Sequence, residues 1–412
     1  MEPLSEAQSR RNVFVAAATG FTGFAGFTLV MPFLPLYISE LGVRDVGEIA
    51  MWSGLTLGAT PAITAISAPL WGRVGDRYGS KLLVIRSLTA FVLTKGAMAF
   101  VTAPWQLVAL RGLLGVFAGY GALTLAMAAE SVPRERMARA IGSVQMGQRL
   151  GPALGPVVGG LIAPIVGLRR AFLVTAGFYL VALLMIALLY REPRSRRTRE
   201  RGRSLKAVFR ELAATPGFLL ALAVIFGLQT VDRSFSPILP LFVVQLGVSP
   251  DRVTPLSGAL FSLVAICAAL GHKVSGPLMA RYTPKFLMTT VAALTALALV
   301  VILLVPSLGT LTVALIVASF GIGIAMTAAY SVAGALLPAD AHVTGFGIMT
   351  TASLIGLAFS PVLAGFVGAS GLSVVFIVDV LLMVGLGIAV ATKMRTGPVK
   401  PAAPDEADVA VP

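Results

Sequence analysis

MPFLPLYISELG at 31–42 and SPILPLFVVQLG at 236–247 are two copies of one segment, set 205 residues apart. Pro32, Leu34, Pro35, Leu36, Leu41 and Gly42 are matched in order by Pro237, Leu239, Pro240, Leu241, Leu246 and Gly247. The same offset pairs Pro133 with Pro338, Gly142 with Gly347, Gly151 with Gly356 and Pro156 with Pro361. An offset of 204 pairs Arg77, Tyr78 and Lys81 with Arg281, Tyr282 and Lys285. A nearly constant offset across several loops marks a duplicated unit about half the chain long.

The composition places both copies in lipid. Of 412 residues, 57% are hydrophobic and 12% charged, with mean hydropathy +0.90, whereas an ordinary soluble domain is about 25% charged. Globules of this size cannot bury so much apolar surface in water. The single Cys267 excludes a disulfide framework or a cysteine metal cluster. With His272 and His342 the only histidines, most metal sites and histidine triads are excluded too. No short apolar segment ends in a cleavage site, so no removable signal peptide is expected.

A helix crosses a bilayer with roughly 20 apolar residues. Such stretches fall near 12–39, 49–71, 80–102, 104–130, 138–164 and 169–190, then near 217–246, 253–276, 285–306, 309–337, 343–368 and 371–392. The chain therefore reads as an all-α membrane protein with twelve transmembrane helices in two six-helix repeats. Residues 1–190 form the N-terminal bundle, 191–216 a basic cytoplasmic linker, and 217–412 the C-terminal bundle with a short cytoplasmic tail. Long Gly-rich runs favour packed helices over the short alternating strands of a barrel. Parallel six-helix repeats imply two similar bundles about a membrane-normal axis, with a site between them and rocking halves that alternate its access.

Basic residues set the orientation. Of 32 Lys and Arg, only Arg44, Arg169, Arg170 and Arg252 fall in loops on one side, and Lys95, Arg111, Arg149 and Arg233 fall within spans. The remainder lie on the side of the two termini, which are thereby expected to be cytoplasmic in a multi-pass protein of the inner or plasma membrane. The net charge of +14 follows from this topology and implies no nucleic-acid partner. Trp52, Trp71 and Trp105 fall at span ends, as an aromatic belt requires. The basic stretch at 191–211 is expected to be a solvated linker that anchors topology, in reach of anionic headgroups.

Residues 72–81 read GRVGDRYGSK, between spans two and three. Gly72, Gly75, Asp76, Arg77, Gly79 and Lys81 resemble motif A of the major facilitator superfamily. The glycines permit tight turns, and the carboxylate and bases suit a lock at the inner rim of the halves. The resemblance implies that Asp76 holds the neighbouring half at a helix N-terminus and favours the outward-open state. On span five, Gly142, Gly151, Gly155, Pro156, Gly159 and Gly160 agree with motif C, the antiporter signature of that superfamily's drug/proton exporters. Glycines at spacings of four let helices pack backbone to backbone, and Pro156 kinks the helix, so motif C is expected to bring the two halves together and prevent leak. Leu107, Arg111, Leu114 and Gly115 on span four are similar to motif B, with Leu114 where a polar residue is common, and the resemblance puts Arg111 near the proton-coupling carboxylate. Pro32 and Pro35 resemble the helix-breaking pattern of twelve-span exporters. The resemblance covers nearly the whole chain and implies secondary transport driven by a proton gradient, with no cofactor and no metal.

Ionisable groups inside spans are costly and mark function or structural pairs. Gln229, Asp232, Arg233 and Ser236 follow a helical stripe on span seven, and Gln145, Gln148, Arg149 and Pro152 follow a second on span five. With Arg111 these outline a polar cavity in which Asp232 exchanges a proton; the alternative is a structural ion pair between the halves. Asp232 and Arg233, being adjacent, are not expected to face each other squarely. Asp379 and Lys95 are read as structural or snorkelling groups, and His272 and His342 as solvated rim residues.

Two cargoes are consistent with these residues. One is a range of small, mostly apolar molecules exported by proton antiport; the other is one anionic metabolite or antibiotic held by Arg111, Arg149 and Arg233. An enzyme finds no catalytic constellation here, and no Walker A sequence supports ATP-driven transport. Expected partners are a small-molecule substrate, the lipid bilayer and protons, with the chain acting as a monomer. Asp76→Asn should reduce transport and move the population toward inward-open, by about the ~1 kcal/mol a carboxylate contributes at a helix N-terminus, while affinity in a fixed conformation stays unchanged. Labelling of inner-rim cysteines measures that population, and labelling equal to wild type is the contrary outcome.

Overall fold

A computed structural model describes residues 5–192, 205–338 and 342–394. Among them every regular element is a helix. Span one is broken at its prolines into α1 (Glu6–Thr28) and α2 (Leu34–Glu40). Spans two and three are α3 (Val46–Tyr78) and α4 (Ser80–Met98), and span four divides into α5 (Pro104–Phe117) and α6 (Tyr120–Glu130). Spans five and six are α7 (Arg134–Val166) and α8 (Leu168–Leu189). After a short helix α9 (Leu205–Ala214), span seven is α10 (Phe218–Ser234) and α11 (Leu239–Gln245), bent by 44°. Spans eight to twelve are α12 (Pro250–Arg281), α13 (Pro284–Leu304), α14 (Leu308–Ala335), α15 (His342–Gly368) and α16 (Leu372–Lys393).

Among the described residues nine helices are long and apolar enough to cross a membrane, ten with the bent α10–α11 pair counted as one. The other two expected spans are present as helices of more polar composition. The first turns of α1 hold Gln8, Arg10, Arg11 and Asn12, and α4 holds Lys81, Arg86 and Lys95.

Packing repeats with the sequence. In the first six spans α1 packs on α7 and α8, α3 on α5, and α4 on α8; in the second six the corresponding pairs are α10 on α15 and α16, α12 on α14, and α13 on α16. The two sets meet chiefly through α7 against α12 and α3 against α15. Both contacts are made by glycines. A Cβ on Gly160 would lie 2.7 Å from the Thr254 carbonyl oxygen, and one on Gly258 would lie 2.4 Å from that of Pro156. The second contact is its copy: a Cβ on Gly54 would lie 2.1 Å from the Pro361 carbonyl oxygen, and one on Gly365 would lie 2.7 Å from that of Ala50. Any side chain there forces the backbones apart. All these residues lie toward the end of the bundle away from the chain termini.

Motif C therefore has two faces, which corrects the expectation that the whole of it joins the halves. Gly151, Gly155 and Gly159 abut α1 within their own half; a Cβ on them would fall within 3 Å of Ala25 N, Thr28 Oγ1 and Leu29 O respectively. Of motif C only Pro156 and Gly160 reach α12 across the interface, because they stand about 100–140° around the helix from Gly155. Gly142 faces open space and packs on nothing.

The break in span four exposes carbonyls that a lipid interior cannot satisfy. Three neighbours satisfy them in succession. Ser67 Oγ donates to Gly115 O at 2.9 Å, Trp71 Nε1 to Val116 O at 2.6 Å, and an Arg86 guanidinium nitrogen to Phe117 O at 3.1 Å. The Arg86 guanidinium lies 3.4 Å from the centre of a Trp71 ring, a cation–π contact. Trp71 is thus a structural clamp rather than a member of an interfacial belt. Beyond the basic stretch, α9 packs on α10 and α15 and buries Leu212 completely, while Phe209, Arg210 and Glu211 stay exposed; residues 193–204 lie outside the described residues.

Gly160→Leu should open the seam between the halves and Gly155→Leu should not. With a reporter Thr254→Cys, buried at the seam, thiol labelling should rise in the first variant alone. Gly155→Leu should instead lower the melting temperature, through the roughly 1–3 kcal/mol cost of overpacking within one half. Equal labelling in both variants contradicts this division.

Candidate functional site

α10 ends at Ser234, where the chain turns before Pro237 and Pro240. Asp232 and Arg233 stand in its last turn, with Arg233 favourably placed at a helix C-terminus. Arg233 Nε lies 2.9 Å from Asp232 Oδ2, but the N–H is not aimed at the oxygen. Neighbouring residues on a helix diverge by about 100°, so the pair meets at an angle. The two form an imperfect ion pair, with Asp232 13% and Arg233 35% exposed at the side chain.

Two further basic side chains approach from other helices. His272 of α12 lies within electrostatic reach of both Asp232 and Arg149, and its Nδ1 is 2.9 Å from Thr327 Oγ1 of α14. It is a half-buried group tied to α14. Arg149 of α7 is exposed, with exposed Gln145 one turn away on the same face. One acid and three basic groups from spans five, seven and eight thus converge where the halves meet. His272 escaped the sequence reading because its tether to Thr327 joins residues 55 apart.

The rest of the expected cavity lies elsewhere. Gln229 accepts a hydrogen bond from Ser353 Oγ at 3.2 Å and rests against Gly356, tying α10 to α15. Arg111 is corrected from cavity wall to bundle interior: it is 0% exposed, its guanidinium nitrogens have no hydrogen-bond partner, and its guanidinium carbon lies 5.4 Å from the Phe27 ring centre. Lys95 is also 0% exposed, without a partner at Nζ. Close packing of Gly115 against Thr60 and Ile63 draws α5 onto α3 and encloses the neighbouring Arg111.

In motif A, the side chains of Asp76 and Arg77, with Gly72 and Gly75, lie outside the described residues. Lys81 Nζ donates to Tyr190 O at 2.7 Å and Ala187 O at 3.1 Å. It caps the end of α8 in its own half, where a cation complements the helix dipole. Gly79 has φ +89, and a Cβ there would also meet the Glu192 carboxylate. Near the termini, Arg136 and Arg10 hold the Glu6 carboxyl below the usual carboxylate range. These three residues rim a groove of about 1200 Å³ along α1 and α7, whose floor includes Phe14, Phe21, Met146 and Leu150. Among the described residues no cluster of three or more His, Cys, Asp or Glu is placed to hold a metal ion.

Comparison with known proteins agrees with this architecture. The family model described as Major Facilitator Superfamily matches residues 15–305 and 235–410. A multidrug resistance protein MdtG from Rahnella sp. (strain Y9602) is 31% identical over 330 residues, covering 80% of this chain and 77% of the relative. The protein of the same name from Escherichia coli (strain SMS-3-5 / SECEC) is 33% identical over 298 residues, covering 72% of each chain. Among solved structures, the inward-facing, unoccupied bacterial homolog of the human lysosomal transporter Spinster superposes with a TM-score of 0.76 at 16% identity, covering 94% of this chain and 97% of that one. With its duplicated bundles, glycine-sealed seam and charges between the halves, this chain belongs to the major facilitator superfamily.

Proposed function

We propose that the chain is a proton-driven exporter of small, mostly apolar molecules, working by alternating access. It acts as a multi-pass monomer in the inner or plasma membrane with both termini cytoplasmic. The observation that carries this reading is the convergence of Asp232, Arg233, His272 and Arg149 from both halves, beside a seam closed at one end by glycine contacts. With the termini inside, the closed end is external, and the arrangement is inward-facing. The relatives' name as multidrug resistance proteins supports a broad cargo, as does the apolar floor of the α1–α7 groove.

In this reading Asp232 alternates between two partners. Facing inward, it gives its proton to the cytoplasm and pairs with Arg233, while cargo occupies the apolar space beside them. When the halves rock, Asp232 meets external solvent, takes up a proton and releases Arg233, and cargo leaves. Each event needs the charge at Asp232 to depend on which side is open, and burial against nearby cations supplies that dependence. A carrier for a single anion requires free arginines on the cavity wall. Arg111 is enclosed and Arg233 is engaged by Asp232, so two of the three candidates are otherwise placed.

Asp232→Asn should abolish uphill transport while sparing binding and downhill flux. Ethidium accumulation in proteoliposomes with an imposed proton gradient should fall by about a hundredfold, the lower range of what a positioned acid–base group contributes. Retained accumulation against the gradient assigns Asp232 a structural role.

A further inference from the structure

Asp379 of α16 is 3% exposed in the interior of the C-terminal half. Its partner is a single hydroxyl, Ser234 Oγ of α10. Ser234 Oγ also lies 3.0 Å from the Val231 carbonyl oxygen. A serine hydroxyl has one hydrogen to donate. An ionised Asp379 would hold a full charge in the bundle with that one donor and no cation among the described residues, an arrangement costing several kcal/mol. A protonated Asp379 resolves the cluster: its O–H donates to Ser234 Oγ, and Ser234 donates to Val231 O. Two hydrogens then satisfy three oxygens in one chain.

A route to this carboxyl is also present. A void of about 20 Å³ is lined by both Asp232 and Asp379, together with Ser234, Ser319 and Phe376. One water needs roughly 10–15 Å³, so the void has room for one molecule of that size. A second void of about 10 Å³ touches Asp379 from the other side and is bounded by Thr230, Ser360 and Val375. Among the described residues, spans nine, ten and eleven present no charged side chain to either void, and Asp232 is the other titratable group lining them, with Arg233 beside it.

We propose that Asp379 is an interior proton-holding site, loaded and emptied through Asp232. A proton bound by the Asp232 carboxylate passes to a water in the shared void, which in turn gives a proton to an Asp379 carboxylate; emptying reverses both transfers. This rests on the export reading only for its biological use, since the relay itself needs no substrate. It gives the carrier a store that stays filled while Asp232 changes partners.

Infrared spectroscopy of the full-length protein in lipid vesicles tests it without a substrate. Wild type should show the C=O stretch of a protonated carboxyl, absent in Asp379→Asn and shifted in Ser234→Ala. On transfer to heavy water, the deuterium shift of that band should be roughly a hundredfold slower in Asp232→Asn, the lower range expected when one proton-transfer group is lost. A band that persists in Asp379→Asn overturns the assignment, and an unshifted band in Ser234→Ala overturns the hydroxyl contact. Deuteration at the wild-type rate in Asp232→Asn overturns the route. In the same vesicles under a proton gradient, Asp379→Asn should lose ethidium accumulation but keep ethidium binding, and normal accumulation is contrary. If wild type moves no ethidium, the export reading fails for this probe, while the infrared bands still decide on Asp379.

Discussion

The two halves touch where a hydrogen stands in place of a side chain. Gly160 and Gly258 at one crossing, and Gly54 and Gly365 at the other, bring backbones so close that the carbonyl oxygens of Pro156 and Pro361 occupy the space of a methyl group. In lipid, where tails are as apolar as side chains, close van der Waals contact of this kind holds helices together. Because both crossings lie toward one end of the bundle, the halves are hinged there and the charged residues lie beside a seam that can part.

Duplication supplied the scaffold but not the chemistry. Glycine and proline correspond across the halves at Gly160 and Gly365, and at Pro156 and Pro361. The buried charges do not. The interior of the first half holds Lys95 and Arg111, enclosed without hydrogen-bond partners at their charged ends, whereas that of the second holds Asp379 and the Asp232–Arg233 pair. Packing tolerates little change once established, while a cavity wall changes identity at small structural cost.

The broken fourth span shows a related economy. α5 and α6 part at Gly119, whose φ of +113 suits glycine, and the freed carbonyls are taken by Ser67, Trp71 and Arg86 from spans two and three. The corresponding tenth span, α14, is continuous and has no such clamp. Spans two to four are thereby fastened together beside the inner end of α3.

Much of this was written in the chain. Apolar runs gave the helices, since a backbone in lipid must satisfy its own hydrogen bonds. The offset of 205 gave the two bundles, and Pro32, Pro35, Pro237 and Pro240 gave the breaks in spans one and seven, because proline removes a donor locally whatever surrounds it. Spacing also brought Asp232 and Arg233 to one turn. What sequence left open was every contact between residues distant in the chain. Which glycines of motif C face α1 and which face α12, that Arg111 turns into the bundle, that Trp71 holds a carbonyl, that His272 reaches Thr327 and that Asp379 meets Ser234 across 145 residues were fixed by helix rotation and approach. Those depend on the summed fit of many side chains between neighbouring spans, a property of the packed bundle that no local pattern encodes.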